Sequence, residues 1–450
     1  MLNPTADSPV YNVTILVSSG DIVKIQSASE SIPENYTQVD IKGKWVMPGL
    51  IDGHIHLAQS GSAYTRPDTI DATKLISYQL DQDWLNNNRE TLLGRYSRLG
   101  ITTVVDMGGP TAYLQLYKES SSNTVAPDIY AAGTLLAPMT IPELNKTFTK
   151  VTNGTEAKEL VSQLHNNGNA ILKIYWTQES GLTHQQLSDL YEPAISLAKE
   201  QGKVVAAHVS SLMDAKMAVR AGANILLHGV MSEQVDNELI ELMKQKKVTY
   251  MPTLTSESHY TELFRGELEF TAHEKKNSDK FVLESFQTLK QNKDKTGQMF
   301  QLISKYIVFV DASDEDISKL STQEQSIVMQ LQAAFTTENQ LLQKRNLKRV
   351  YQAGVNVAIG TDAGNPGTLH ASSYYGEILA WQDAGLPNAA ILKAATLNNA
   401  LALNIQEKVG SLFVGKHADF IILDADPREN MATLMRPLMT IKRGIQVKGE

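Results

Sequence analysis

The chain has no cysteine. That excludes disulfides, thiolate metal sites and cysteine nucleophiles. Any metal must be held by histidine, carboxylate or a lysine-derived group. Positive charge is in deficit: 41 Lys and Arg against 49 Asp and Glu give a net charge of −8, which argues against nucleic acid as a partner. No apolar run approaches the roughly 20 residues needed to span a bilayer. The N-terminus shows no charged-then-apolar leader. Cytoplasmic residence and export after loss of a signal peptide both stay open. Internal repeats and low-complexity tracts are missing too. What is present is ordinary for a globular protein: 450 residues, 42% hydrophobic and 20% charged, enough for a large core. Four Asn-x-Thr sequons, at Asn12, Asn35, Asn145 and Asn153, read as chance occurrences.

The two ends of the chain share one texture. VTILV, IVKIQ and TQVDIKGKWV within residues 11–48 predict short strands, as do FIILDAD and PLMTIKRGIQVKG within 409–450. Together, 1–48 and 409–450 are expected to form one small β-sandwich domain. The middle, 49–408, has another rhythm. Continuous apolar strand candidates recur at 46–57, 101–107, 128–133, 170–176, 204–209, 224–229, 248–254 and 355–362, separated by helical stretches. Unbroken apolar runs suit parallel strands covered on both faces. Gly100, Gly168, Gly202, Gly222 and Gly354 fall where helix C-caps belong. Eight such units predict an α/β fold, a distorted (β/α)8 TIM barrel. One spacing is too long: 257–353 is polar and helix-prone. It predicts inserted helices, either a solvated hairpin, a cap over the barrel, or a contact in a homo-oligomer.

Ten histidines are present, and four of them, His54, His56, His208 and His228, end predicted strands. His54 and His56 close VMPGLIDGHIHL. Residues i and i+2 of a strand share a face, so both imidazoles can aim at one point, with Ile55 turned away. Any one of these histidines could be a hydrogen-bonded core residue. Four on one barrel rim are better explained as metal ligands. Asp362, in AIGTDAGNP, ends the eighth strand candidate, beside the first in a closed barrel. It could bind metal, act as general base, or do both. Lys173 lies inside AILKIYW. A buried lysine loses its proton easily, and the neutral amine can take up carbon dioxide to become a carbamate able to bridge two cations. Its alternative is an ion pair with an aspartate. Tyr64, Arg66, Trp176 and His370 follow strand candidates and could line a substrate pocket. Zinc suits histidine and carboxylate ligands.

VMPGLIDGHIHL, GITTVVDMGG, ILKIYW, AAHVSS, LLHG, GTDAGNPGTLH and the closing AATLNNALALNIQEKVGSLFVGKHADFIILDADP resemble, in order, the motifs of the amidohydrolase superfamily. The resemblance is to its two-metal branch, with imidazolonepropionase-related proteins and Xaa-Pro and Xaa-Arg dipeptidases. It implies two divalent ions: one on His54, His56 and Asp362, the other on His208 and His228, with carbamylated Lys173 and a hydroxide between them. It also implies a metal-dependent hydrolase that cleaves an amide-type C–N bond in a small molecule, a dipeptide or N-acyl amino acid. The loop after the third strand candidate, AAGTLLAPMTIPE, lacks the Gly-Gly-His often found there. Two alternatives stand beside this reading. One is a mononuclear deaminase or cyclic-amide hydrolase, which usually has a Glu soon after the fifth-strand histidine, where this chain has Val209, Ser210 and Ser211. The other is a non-catalytic barrel scaffold. On the main reading Arg66 would grip a free substrate carboxylate through its two-pronged fork.

Overall fold

In the computed structural model, which describes residues 1–6, 8–120, 125–141 and 147–447, the apolar segments become eight short parallel strands. They are β1 (Leu50–Ile55), β2 (Ile101–Asp106), β3 (Asp128–Ala131), β4 (Ile171–Tyr175), β5 (Val204–His208), β6 (Ile225–Leu227), β7 (Thr249–Met251) and β8 (Asn356–Val357). β1, β2 and β3 pair in order, and so do β4 to β8. Two seams close the ring. At one, Ala170 N–H donates to Ala131 O at 2.9 Å. At the other, Gly53 N–H donates to Ile359 O (3.0 Å), Asp362 N–H to His54 O (2.7 Å) and His56 N–H to Ala363 O (2.8 Å). The first seam is thin because an extra parallel pair, Leu135–Ala137 with Phe148–Lys150, attaches at the edge of β4. The barrel is distorted there.

Side chains alternate between two cores, as strand geometry demands. Ile51, Val105, Ile171, Ala206, Ile225 and Leu227 fill the barrel interior. Ile55, Leu172, Ile174, Val205 and Ala207 face the surrounding helices. Helix Leu212–Ala221 ends on Gly222 at φ 117°, a conformation open to glycine, and the chain re-enters the sheet.

Both ends of the chain contribute to β-structure outside the barrel. Val13–Ser18 and Asp21–Ser27 form a hairpin. Trp45–Pro48, Phe420–Leu423, Met439–Lys442 and Ile445–Gln446 form an antiparallel sheet. Ile22 from the hairpin and Val46, Phe420 and Ile422 from the sheet share one core. The expected strand TQVDIKGKWV shrinks to its last two residues plus Met47 and Pro48. Residues 37–44 are mostly exposed and polar, and only Ile41 packs on the core beneath.

The long segment after β7 carries a series of helices joined by short loops. Leu254–Arg265 starts right after β7, and Ala272–Lys276, Lys280–Gln291, Gln298–Tyr306, Asp314–Ser318, Thr322–Phe335 and Thr337–Gln352 follow. It is not a solvated hairpin. Leu263, Phe264, Leu289, Phe300 and Ile307 build a core with Ala63, Tyr64, Ile70 and Ala72 from the loop after β1. That core fixes the helices to the rim where β1 and β7 end.

Candidate active site

His54 and His56 point inward from the end of β1, while Ile55 and Leu57 join the outer core. His54 Nε2 and His56 Nε2 lie 3.3 Å apart, and Asp362 Oδ1 is 3.2 Å and 3.0 Å from them. His56 Nδ1 is 3.0 Å from Gly108 O. A carbonyl only accepts, so Nδ1 carries the proton and Nε2 presents its lone pair. Asp362 Oδ1 is buried with no hydrogen-bond donor. Three lone-pair atoms thus converge within 4.8 Å of one another, a spacing that fits a divalent cation. Burial, aided by the Lys173 amine, holds His54 well below the usual imidazole range and keeps it a neutral donor.

Close approach of the ends of β1 and β8 makes this possible. A Cβ at Gly360 would stand 2.6 Å from His54 Cβ. Asp362 itself has φ 61°, unusual for a non-glycine residue. The turn before it is held by Asp52, whose carboxylate accepts from Thr361 N (3.0 Å) and Thr361 Oγ1 (2.7 Å). Burial pushes Asp52 up to about 7, against those hydrogen bonds.

A second group adjoins the first. His228 leaves β6 with φ 68°. Its ring centroid is 4.4 Å from that of His208 and 5.0 Å from that of His54, and its Nδ1 is 3.8 Å from Asp362 Oδ2. Thr253 Oγ1 meets His228 Nδ1 at 3.1 Å, and Ser256 Oγ donates to Asp362 Oδ2 at 3.1 Å. Lys173, 1% exposed, has no ion-pair or hydrogen-bond partner among the described residues, so the expected alternative of an aspartate pair does not arise. Burial brings its amine down to about 7. Its charge, after burial, depresses His54 and His208, and it also bears on His228. His208 and His228 are thus neighbours of the His54, His56 and Asp362 group, and the charge of Lys173 reaches all three strands of histidines.

The four pocket candidates lie elsewhere or are already engaged. Trp176 sits in the outer core against Tyr191. The residue that faces the histidines is Tyr175, stacked on His208 at 4.5 Å. Tyr175 lies at i+2 from Lys173, and that alternation was the signal that could have found it. His370 is consumed by the fold: Nε2 meets Gln59 O at 2.7 Å and Nδ1 meets Tyr96 Oη at 2.8 Å. Burial brings it down to about 4. Tyr64 belongs to the core of the insertion and packs on Phe281. Arg66 does reach the rim, but its fork is occupied. Nε and Nη2 donate to the two oxygens of Asp68 at 2.8 and 2.6 Å, and Nη1 donates to Asn365 Oδ1 at 3.0 Å.

Several polar residues at the rim escaped the sequence reading. Glu179 follows β4 and accepts from Ser210 Oγ at 3.0 Å. Tyr260 Oη donates to Asn365 Oδ1 at 2.9 Å. Glu257 makes no side-chain hydrogen bond or ion pair among the described residues. Burial, with Asp362 and Glu179 nearby, pushes it up to about 7. The sequon at Asn145 and the end of the loop after β3 lie outside the described residues. The sequon residue Asn153 caps helix Gly154–Asn166.

The amidohydrolase family profile matches residues 45–447. Curated relatives match over short segments. An imidazolonepropionase of Syntrophobacter fumaroxidans is 46% identical over 80 residues, 17% of this chain and 18% of that protein. A 5-methylthioadenosine/S-adenosylhomocysteine deaminase of Thermoanaerobacter pseudethanolicus is 33% identical over 130 residues, 26% of this chain and 28% of that one. The matched segments therefore span well under a third of these relatives' length. Among solved structures, a Xaa-Pro dipeptidase with bound methionine superposes with TM-score 0.68 at 21% identity, covering 100% of this chain and 98% of that one. The A. niger ochratoxinase superposes with TM-score 0.67 at 19% identity, covering 98% and 93%. These similarities establish the barrel fold. The chain belongs to the amidohydrolase family.

Proposed function

We propose that this amidohydrolase cleaves the amide bond of a small substrate, a dipeptide or N-acyl amino acid, with two divalent cations, zinc by preference. The observation that carries the reading is the convergence of His54, His56 and Asp362 at 3.0–3.3 Å, next to a buried and unpaired Lys173. His54, His56 and Asp362 would hold one ion, and His208 and His228 the other. Lys173 would stand between them as a carbamate: its Nζ bonds to the carbon of carbon dioxide and releases a proton. When bound, the cations polarise the scissile carbonyl and lower the pKa of a water.

The protein's own groups manage the rest. Asp362 turns Oδ1 to the histidine pair and keeps Oδ2 toward His228 and Ser256. Oδ2 is placed to take the proton of the attacking water and hand it to the leaving nitrogen. Tyr175 covers His208 and helps to exclude solvent from that side. The helical insertion packs with the loop after β1 beside the rim, which would favour short substrates over long polypeptides.

Within that substrate class the rim favours a dipeptide with a free amine. Asp68 holds the fork of Arg66, while Glu257 is an unpaired carboxyl group that a protonated amine would match. The test is a panel of dipeptides, their N-acetyl forms and their C-terminal amides on metal-replete protein. Faster turnover of free dipeptides than of N-acetyl forms is expected. Equal rates would remove Glu257 from substrate recognition, and no turnover of any amide would sink the reading.

One observation favours a mononuclear deaminase or cyclic-amide hydrolase. Only His54, His56 and Asp362 meet close ligand spacing among the described residues. Elemental analysis separates the readings: two ions per chain are expected, and a plateau at one supports the alternative.

A further inference from the structure

The helix after β7 begins in an unusual way. Its first residue is Leu254, and the residue before it, Thr253, has φ 47° and ψ 55° and makes no capping hydrogen bond. A threonine in that position ordinarily turns its hydroxyl to the free N–H groups of the first turn. Here that hydroxyl is at His228 Nδ1, 3.1 Å away. The free N–H groups are met by a residue more than 120 positions later in the chain. Glu377, on helix Tyr374–Asp383, accepts from Leu254 N–H with Oε1 and from Thr255 N–H with Oε2, both at 2.9 Å. It also accepts from Thr255 Oγ1 at 2.8 Å and Trp381 Nε1 at 2.9 Å. Four donors saturate this fully buried carboxylate, and a negative group at a helix N-terminus is electrostatically favoured.

We propose that Glu377 is a positioning residue for the metal-ligand set: by capping the helix in place of Thr253, it frees the Thr253 and Ser256 hydroxyls to orient His228 and Asp362. The inference rests on the reading that these two residues hold cations. One turn of chain serves both groups of ligands. Thr253 meets His228, and three residues on Ser256 meets Asp362 Oδ2. Without Glu377, the Thr253 hydroxyl would be drawn to its own helix, since side-chain hydroxyls compete for nearby backbone groups. His228 would lose the contact that orients its ring. Hydrogen-bonding partners behind a ligand commonly control affinity in this way.

The test reads cation affinity, not turnover. Zinc is titrated against a chelator into wild type, Glu377→Gln, Thr253→Val and the double variant, with thermal unfolding recorded in parallel. Glu377→Gln is expected to weaken the His208/His228 cation by about 10–100-fold. Thr253→Val should do the same, Thr253→Ser should restore affinity, and the double variant should be no worse than the poorer single one. Additive losses, or a lower melting temperature with unchanged affinity, would show that Glu377 only caps a helix. If Glu377→Gln does not fold, Thr255→Val removes one donor to Oε2 without removing charge. A smaller loss of affinity is then expected, and none overturns the proposal. If wild type binds a single ion, the two-cation reading fails by itself. The effect of Glu377 is then read on that ion, through Ser256 and Asp362.

Discussion

The two groups of candidate ligands differ in how they are assembled. His54, His56 and Asp362 are drawn together by the barrel seam, with backbone hydrogen bonds from Asp362 N–H to His54 O and from His56 N–H to Ala363 O. Their ligand atoms stand 3.0–3.3 Å apart before any ion is considered. His208, His228 and Lys173 come from three separate strands. Their spacing is looser, and side chains support them: Tyr175 behind His208 and Thr253 behind His228. A site set by backbone pairing is preorganised with the fold. One set by side chains depends on their partners.

The largest expected effect tests the proton role proposed for the tight group. Asp362→Asn keeps the size and an oxygen ligand but cannot take a proton. Turnover should fall by about 10²–10⁴-fold with most of the metal retained, measured by steady-state rates beside elemental analysis. Near-normal rates would assign the base to another group.

Next comes the loose group. Lys173→Ala should lose one ion and activity while the His54 side keeps its own, and a short-chain carboxylic acid should restore part of both. Loss of both ions at once would erase the distinction between the two groups.

A third prediction concerns the scaffold behind the rim. His370 is held neutral, its ordinary value near 6.5 brought down to about 4 by burial. The unfolded chain binds a proton there below about pH 6.5, and the folded chain only near pH 4. Stability from this group is therefore full above pH 6.5 and declines as the pH falls from 6.5 to 4, by on the order of 3 kcal/mol. Urea unfolding across that range should be steeper for wild type than for His370→Gln. Equal slopes would mean that His370 is not buried neutral.

The smallest effect separates neighbours. Tyr175→Leu should raise KM by roughly threefold to tenfold, as aromatic contacts are worth about 0.5–1.5 kcal/mol. Trp176→Phe, in the outer core, should leave KM unchanged. A reversed pattern would put the alternation of β4 in error.

Much of the candidate site was legible because strand position is a local property. Apolar runs ending in His54, His56, His208, His228 and Asp362 mark strand ends, and parallel strands bring their C-terminal ends to one rim. Lys173 stood out as a charge in an apolar run. The terminal sheet and the helical insertion were visible from composition. Trp176 faces the outer core and not the pocket, since period-two alternation from Lys173 selects Tyr175.

By itself, then, the sequence determined the barrel, the order of its strands and which polar groups close them, because periodicity and burial are written in neighbouring residues. Only the tertiary structure decided what those groups touch. Asp68 occupies the fork of Arg66, Gly108 sets the tautomer of His56, Gln59 and Tyr96 consume His370, and Glu377 caps a helix more than 120 positions away. Apart from the Arg66–Asp68 pair, such partners are distant in the chain, and their pairing depends on how loops pack once the ring has closed. A hydrogen bond between buried groups requires a specific geometry, and residue type alone does not encode it.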